Sequence, residues 1–335
     1  MSRALIVEAC GPGTTVQDQG RLGYLVQGLS QAGAADQIAL FEGAALLGQS
    51  PELAALELAG MGGTFRAQGD LRIAMTGAPM AASIDGAAVV WNASHALLDG
   101  QVLTIGSALT GNYGYLHVGG GIAADVFLGS RSTHLVAQVG AAVTPGALPV
   151  GPDHSGVTGQ KLVPRDRFGG GTVRIIPSAQ TALFADSDLL RLENTAFARD
   201  PRGNRMGAAM NFDGPPFKAT DQLNILSEMV VPGDIQVTGD GTPFVLLYEC
   251  QTTGGYPRIG TVIPPDLPRI AQARAGEPIR FQFITRDQAL AVYSAHLQKL
   301  RELPQATSAL VRNPHDIRDL LSYQLISGAI TGEET

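Results

Sequence analysis

The chain has 335 residues and a formal net charge of −7 when its histidines are neutral. This acidic balance disfavours nucleic acid and anionic membrane surfaces as partners, because both select for a basic patch on the protein. No apolar stretch approaches the ~20 residues of a transmembrane helix, and the first residues lack the apolar segment of a signal peptide. We therefore expect a cytoplasmic protein with no nucleic-acid or membrane partner.

The glycine and proline content indicates the fold class. The chain has 42 glycines and 20 prolines, whereas aromatic residues make up only 6% of it. This composition is typical of many short strands joined by turns, and not of a helical bundle. We therefore predict a mainly β fold with a few helices.

The length and one compositional change predict the domain organisation. A chain of this size accommodates two domains of roughly 100 to 200 residues each. Residues 144–171 are rich in proline, glycine and charge, which is typical of a crossing between domains. We predict one β-rich domain at residues 1–165 and a second at residues 172–335.

A polar loop follows the first predicted strand, residues 5–9. Residues 14–21 (TTVQDQGR) carry more polar groups than a surface turn needs. Two interpretations of this loop stay open. In the first, Asp18 and Arg21 form an ion pair that orders the loop. In the second, Arg21 presents its planar guanidinium to a carboxylate or a phosphate, and Asp18 or Gln17 orients it.

The next elements are a helix and two candidate hairpins. Asp36 is predicted to cap a helix that ends before Gly48. Two Asp-Gly pairs, Asp85-Gly86 and Asp99-Gly100, each lie between apolar runs. Such pairs are typical of the two-residue turns of β-hairpins, so we predict a hairpin at each.

Arg205 is a second candidate for binding an anion, because a guanidinium forms two parallel hydrogen bonds with a carboxylate or a phosphate. The alternative is an ion pair with an acid on the protein surface, which contributes under ~1 kcal/mol. The residues around Arg205 leave both interpretations open.

The segment at residues 251–266 (QTTGGYPRIGTVIPPD) follows an apolar run at residues 244–248 that we predict to be a strand. It places two threonine hydroxyls, a tyrosine phenol and two glycines together. Paired glycines let the backbone approach a ligand closely, and the hydroxyls donate and accept hydrogen bonds. The alternative is a simple β-turn, since two glycines after a strand are common in hairpins.

The C-terminal part predicts a strand and then a helix. Ile279, Phe281 and Phe283 alternate with polar residues, which is typical of a half-buried strand. Thr285 and Gln288 have the spacing of a capping box at a helix start. The six histidines of the chain lack the spacing of metal ligands, so no metal site is predicted.

Four segments together resemble one protein family. They are TTVQDQGRLGY at residues 14–24, RMG at 205–207, LSEMVVPGDIQV at 226–237 and the QTTGGY motif. The family is known as allophanate hydrolase subunit 2 or biotin-dependent carboxyltransferase, and its members include one component of bacterial 5-oxoprolinase and half of the carboxyltransferase domain of urea carboxylase. The resemblance implies a cyclophilin-like β-barrel, which agrees with the mainly β prediction.

The resemblance also implies which residues line the cleft of the site. Five of them are expected to act in catalysis: Asp18, Arg21, Arg205, Glu249 and Thr253. The others are expected to bind the substrate: Thr14, Thr15, Gln17, Tyr24, Gln236, Gln251, Thr252, Gly254, Gly255, Tyr256 and Asp266. The chain departs from the family at Glu249-Cys250, where Asp is frequent, and at Asn204, which replaces an acid. These departures leave the identity of the substrate open.

The activity that the resemblance implies first is that of the C subunit in an ATP-dependent 5-oxoprolinase, a hydrolase that opens 5-oxo-L-proline to L-glutamate. The expected partners are a subunit-B-like protein, related to allophanate hydrolase subunit 1 and to a kinase inhibitor, and a LamB/YcsF-like A subunit. ATP would act in the complex. Two alternatives stay open: a carboxyltransferase of urea-carboxylase type that uses biotin on a separate carrier protein, and a non-enzymatic antagonist of the kinase-inhibitor-like partner.

Overall fold

The computed structural model describes residues 3–220 and 226–311 of the chain. The end of the second predicted domain, residues 312–335, therefore lies outside the described residues. Within the described part, 22 strands and four α-helices form the fold, and seven of the strands close into a barrel. The prediction of a mainly β fold with a few helices and a barrel is confirmed.

Two antiparallel sheets contain every described strand before Gly171 and one short strand near the C-terminal end. The first sheet has six strands, in the spatial order β11 (Gly146–Pro149), β1 (Ala4–Cys10), β4 (Met61–Gln68), β9 (Val102–Ala108), β6 (Met80–Ile84) and β7 (Ala87–Val89). The second has seven, in the order β2 (Thr15–Gln17), β3 (Ala55–Ala59), β10 (Tyr113–Val118), β5 (Leu71–Gly77), β8 (Ala93–Leu97), β12 (Gln160–Lys161) and β22 (Ser308–Ala309). Because β22 pairs with β12, the chain returns to the second sheet after it leaves the barrel.

The barrel is built from the strands between Gly171 and Phe283. Around the barrel they follow the order β13 (Gly171–Ile176), β20 (Arg258–Val262), β17 (Asp234–Val237), β18 (Pro243–Leu246), β15 (Gly207–Asn211), β14 (Phe197–Arg199) and β21 (Pro278–Phe283). A parallel pairing of β13 with β21 closes the ring, whereas the other barrel pairings are antiparallel. Outside the ring, β16 (Glu228–Met229) pairs with β19 (Thr253–Gly254).

The four α-helices are α1 (Gln37–Leu47), α2 (Asp186–Asn194), α3 (Leu267–Gln272) and α4 (Arg286–Arg301). Helix α4 begins with the predicted capping box, because Thr285 accepts from the backbone N–H of Gln288 and the Gln288 side chain accepts from that of Thr285. Helix α1 ends at Leu47, before Gly48 as predicted, and Gly48 has a φ of 62° that suits glycine.

The predicted capping role of Asp36 is wrong. Its carboxylate makes no bond to the start of α1; Oδ2 instead accepts from Nε of Arg167 at 2.6 Å and from Nε2 of Gln272 at 2.8 Å. A bond to a guanidinium adds the attraction of an opposite charge, which a bond to a neutral backbone N–H lacks. Asp36 therefore links α1 to the segment before the barrel and to α3.

One of the two predicted hairpins forms. Strands β6 and β7 pair across Asp85-Gly86, whose φ angles of 49° and 83° are those of a two-residue hairpin turn. The prediction at Asp99-Gly100 is wrong, because the strands on either side of it, β8 and β9, belong to different sheets. The turn there carries the chain from the second sheet to the first.

Two large apolar clusters connect the sheets and the barrel. The first fills the space between the two sheets, with Leu5 and Phe65 from one sheet and Leu56, Ile73 and Leu116 from the other. The second is continuous from Leu40 and Tyr115 to barrel residues such as Val245 and Phe281. This second core joins the barrel to α1 and the second sheet.

Candidate functional site

A cleft of about 850 Å³ lies where the loop after β2 faces helix α4. Its walls combine elements from both parts of the chain. They include the loop at residues 18–25, Ile38 and Phe41 of α1, Val231 and Pro232 before β17, Tyr248 after β18, Pro264, Leu267 and Pro268, and Tyr293, His296, Leu297 and Leu300 of α4. Of the predicted site residues, Asp18, Arg21 and Tyr24 line this cleft.

Arg21 is the predicted residue whose geometry points most directly to a ligand. Its side chain is only 2% exposed; Nε donates to the carbonyl of Phe127 at 3.4 Å, and Nη2 donates to the carbonyl of Ser132. The third nitrogen, Nη1, is buried without a hydrogen-bond partner among the described residues. Leaving a buried donor unpaired costs about 1–3 kcal/mol, and more for a charged group. A ligand that accepts from Nη1 would remove that cost.

Arg21 and Asp18 do not form the ion pair that one interpretation of the loop predicted. The carboxylate of Asp18 instead accepts four hydrogen bonds, from the backbone N–H of Gly20 at 2.8 Å, the hydroxyl of Ser130 at 2.6 Å, the backbone N–H of Arg131 at 2.6 Å and the hydroxyl of Ser132 at 2.5 Å. Asp18 thereby fixes residues 130–132, whose Ser132 carbonyl in turn holds Arg21. Burial lowers the pKa of Arg21, and the nearby Asp18 and Glu249 oppose that shift.

Arg205 is an internal cross-link, and each of its nitrogens has a partner within the protein. Nε donates to Oε1 of Glu249 at 2.5 Å, Nη1 donates to Oε1 of Glu57 and Nη2 donates to the carbonyl of Gly33 at 2.6 Å. Burial acts to lower the pKa of Arg205, but Glu57 and Glu249 outweigh it and raise the value. The predicted ion pair therefore exists, although it is buried and not on the surface as that interpretation supposed.

A buried Ser–His–Glu cluster was not predicted from the sequence. Nε2 of His134 lies 2.8 Å from the hydroxyl of Ser30, and Nδ1 lies 3.7 Å from Oε2 of Glu249. The backbone N–H of Ala137 donates to Nδ1 at 3.2 Å, so the ring proton of the neutral imidazole sits on Nε2 and points at Ser30. Burial lowers the pKa of His134, which keeps this tautomer uncharged. No local pattern could have indicated it, because Ser30, His134 and Glu249 lie far apart in the sequence.

The glycine-rich motif packs on Gln236. The strand before it ends at Leu246, two residues earlier than predicted, and residues 247–250 turn before β19 begins. Nε2 of Gln251 donates to Oε1 of Gln236 at 3.0 Å, whereas Nε2 of Gln236 is buried without a described partner. A Cβ at Gly254 would lie 2.3 Å from that nitrogen. Gly254 is thus required for close approach of β19 to a buried amide.

The other predicted site residues do not line the cleft. Within the described part of the chain, no residue from 251 to 256 lines the cleft, and Thr253, Gly255 and Tyr256 are exposed. Asp266 is paired with Arg174, at 2.6 Å between Oδ1 and Nη2. Three residues of the second sheet's edge are fully buried: Thr14, Thr15 and Gln17, of which Gln17 donates to the Thr15 hydroxyl at 3.0 Å. On either side of the motif in the sequence, Tyr248 and Leu267 do line the cleft.

Comparison with known proteins identifies relatives of the chain. Residues 27–283 match the family described as carboxyltransferase domain, subdomain A and B. The 5-oxoprolinase C subunit of Haemophilus influenzae is 32% identical over 82% of this chain and 89% of its own length. The 5-oxoprolinase C subunit of Escherichia coli is 34% identical over 83% of this chain and 90% of its own.

Solved structures show the same fold within longer chains. TTHA0988 is 29% identical with a TM-score of 0.76, and the match covers 84% of this chain but 56% of that one. The urea amidolyase of K. lactis has a TM-score of 0.81 at 21% identity, and the match covers 93% of this chain and 21% of the larger protein. In the described residues of the present chain, no helix is both long and apolar enough to cross a membrane.

Proposed function

Because the chain belongs to the carboxyltransferase family with subdomains A and B, we propose that it is the C subunit of an ATP-dependent 5-oxoprolinase complex. Such a complex opens the lactam ring of 5-oxo-L-proline to L-glutamate and hydrolyses ATP. The observation that carries the proposal is the similarity to two 5-oxoprolinase C subunits, which extends over 82% and 83% of this chain. The expected partners are the subunit-B-like protein and the LamB/YcsF-like A subunit.

The chemistry explains why a buried guanidinium is useful. A lactam is a poor electrophile, and phosphorylation of its oxygen would create a leaving group before water attacks the ring carbon. Preorganised donors lower the barrier where negative charge develops. Nη1 of Arg21 is preorganised to hold the anionic end of the substrate in place for that reaction, because the Phe127 and Ser132 carbonyls fix the guanidinium while that nitrogen has no described partner. Asp18 contributes indirectly, since it fixes the segment that holds Arg21.

The exposed QTTGGY motif suits a composite site. Thr253, Gly255 and Tyr256 are solvent-exposed beside the barrel, and Thr252 is half-buried. We assign these groups to the face that meets the subunit-B-like partner, so that the motif completes the site only after assembly. We assign ATP to the assembled complex and not to this chain alone, since the sequence has no G-x-x-x-x-G-K-[ST] phosphate loop.

The test is 5-oxoproline-dependent ATP hydrolysis by the chain purified with both partners, with each protein omitted in turn. Activity that requires all three supports the proposal. In that complex Arg21→Ala should lower turnover at least ~10²-fold. Arg202→Ala is the matched control, because the Arg202 side chain is 86% exposed and pairs with Asp200 at the surface. Near-normal turnover of Arg21→Ala would remove Arg21 from the mechanism.

If a properly assembled complex does not hydrolyse ATP when 5-oxo-L-proline is added, that result would count against the proposal. Transfer of a carboxyl group from carboxybiotin to urea or an amide would then identify a carboxyltransferase. Tight association with the subunit-B-like protein and no turnover of either kind would identify the antagonist.

A further inference from the structure

Arg21 forms part of the wall of a second cavity. This cavity has a volume of about 440 Å³, and among the described residues Arg21 alone lines both it and the cleft. The guanidinium is fixed by two carbonyls and is 2% exposed, with Nη1 left unpaired in the described part of the chain. A fixed cationic donor that stands between two cavities can bind a group that enters from either side.

The walls of the second cavity differ in polarity. Residues 139–148 line it mainly with small and apolar groups, among them Val139, Val143 and Leu148. The polar part of the lining is Arg21, Asp125 and residues 130–133, which include Arg131. The volume lies within the range of small-molecule sites, which combine apolar walls with a few polar groups that fix orientation. This arrangement suits a ligand with a compact carbon skeleton and one polar end.

The charges around Arg21 favour a single negative charge on that polar end. Asp18 and Glu249 lie close enough to Arg21 to interact with it electrostatically. The two neighbouring carboxylates would repel a ligand carboxylate, with its single negative charge, less than they would repel a phosphate dianion, and the guanidinium attracts both. The hydroxyls of Ser130 and Ser132 already donate to Asp18, so Nη1 is the donor left for the ligand.

We propose that the second cavity binds a small monocarboxylate, whose carboxylate accepts from Nη1 of Arg21 while its carbon skeleton packs against residues 139–148. The inference rests on the proposed function to the extent that 5-oxo-L-proline is such a molecule: a five-membered ring with one carboxylate. It adds to that function by naming the carboxylate as the group that Arg21 recognises, and the second cavity as its location.

The first experiment measures ligand binding to the full chain by saturation-transfer NMR and calorimetry. The probes are 5-oxo-L-proline, cyclopentanecarboxylate, 2-pyrrolidinone and inorganic phosphate at millimolar concentration. Both carboxylates should bind, and 2-pyrrolidinone, which has the lactam but no carboxylate, should bind at least about tenfold more weakly. Equal binding of 2-pyrrolidinone, displacement of the carboxylates by lower concentrations of phosphate, or no binding of either carboxylate would overturn the proposal.

The second experiment blocks the cavity without touching Arg21. Ala142 lines the second cavity and is half-buried, so Ala142→Trp should raise the Kd of both carboxylates at least about tenfold. Ala88→Trp makes the same change at an exposed position of β7 and should leave the Kd unchanged. A circular dichroism spectrum and melting curve show that both variants fold. Equal affinity in a folded Ala142→Trp protein would contradict the assigned location.

The same variants separate this inference from the proposed function. If the assembled complex hydrolyses ATP with 5-oxo-L-proline and Ala142→Trp leaves KM unchanged, the function stands and the cavity assignment fails. If the complex is inactive but Ala142→Trp abolishes carboxylate binding by the chain, the carboxylate site stands and the function fails.

Discussion

Arg205 and Glu57 form a buried ion pair across the interface between the barrel and the second sheet. Arg205 precedes barrel strand β15, and Glu57 lies in the middle of β3. Glu57 also accepts from the backbone N–H of Ala35 at 2.8 Å and from the hydroxyl of Tyr115 at 2.7 Å. Since Nη2 of Arg205 bonds to Gly33 as well, a single guanidinium fixes the barrel, the sheet and the segment that leads into α1.

Removing that guanidinium should lower the free energy of unfolding substantially. Arg205→Met keeps much of the side-chain volume but leaves Glu57 and Glu249 buried without their cation, and breaking a buried ion pair typically costs about 3–5 kcal/mol. We expect a loss of that size in the free energy of unfolding, measured by urea denaturation. Arg66→Met, which breaks an exposed pair with Glu8, should cost less than about 1 kcal/mol. Similar losses for the two variants would show that the buried network is not needed for stability.

Asp18→Asn should loosen the loop that holds Arg21. The carboxylate accepts from four donors, and an amide would turn its NH₂ group toward at least one of them. An unmet buried donor costs about 1–3 kcal/mol, so the free energy of unfolding should fall by that amount and turnover of the complex should fall with it. Asp213→Asn, at an exposed position, is the control. Wild-type stability of Asp18→Asn would contradict the assigned role.

His117 should make stability depend on pH. Burial lowers its pKa to about 3, and a methyl group at Gly43 would collide with its ring, so α1 packs directly against the imidazole. Between about pH 6.5 and about 3 the unfolded chain binds a proton that the folded chain does not, so the free energy of unfolding falls as the pH falls, by up to ~1.4 kcal/mol per unit. The difference in unfolding free energy between pH 7 and pH 5 should be about 2 kcal/mol smaller in His117→Gln than in the wild type. An unchanged difference would show that His117 does not carry it.

Gly254→Ala should disturb the motif at a defined contact. The new methyl group would displace the buried amide of Gln236, so the free energy of unfolding should fall by about 1–3 kcal/mol. The Gln236–Gln251 hydrogen bond would be lost, and turnover of the complex should fall if this arrangement supports the composite site. Gly239→Ala is the matched control, because a Cβ there meets no atom within 4 Å. Full activity of Gly254→Ala would place the motif outside the reaction.

Features that depend on neighbours in the sequence were predictable from the sequence. The capping box of Thr285 and Gln288 forms between residues three apart, and the Asp85-Gly86 turn needs only its own backbone angles. The glycine and proline content predicted the mainly β fold, because both residues favour turns over long helices. The polar loop at Asp18 and Arg21 was also recognisable, since its residue types exceed what a turn requires.

The tertiary structure alone decided how the site is connected. Ser30 and His134 are 104 residues apart, and Arg205 and Glu57 are 148 apart, so no local pattern relates them. Whether Arg21 pairs with Asp18 or faces a ligand depends on the segment at residues 130–132, which occupies the Asp18 carboxylate. The sequence by itself determined the strands, the turns and the polar residues, because these follow from short-range sterics and hydrogen bonding. Folding decided which buried charges find partners, and which nitrogen of Arg21 has none among residues 3–220 and 226–311, because that depends on contacts between distant segments.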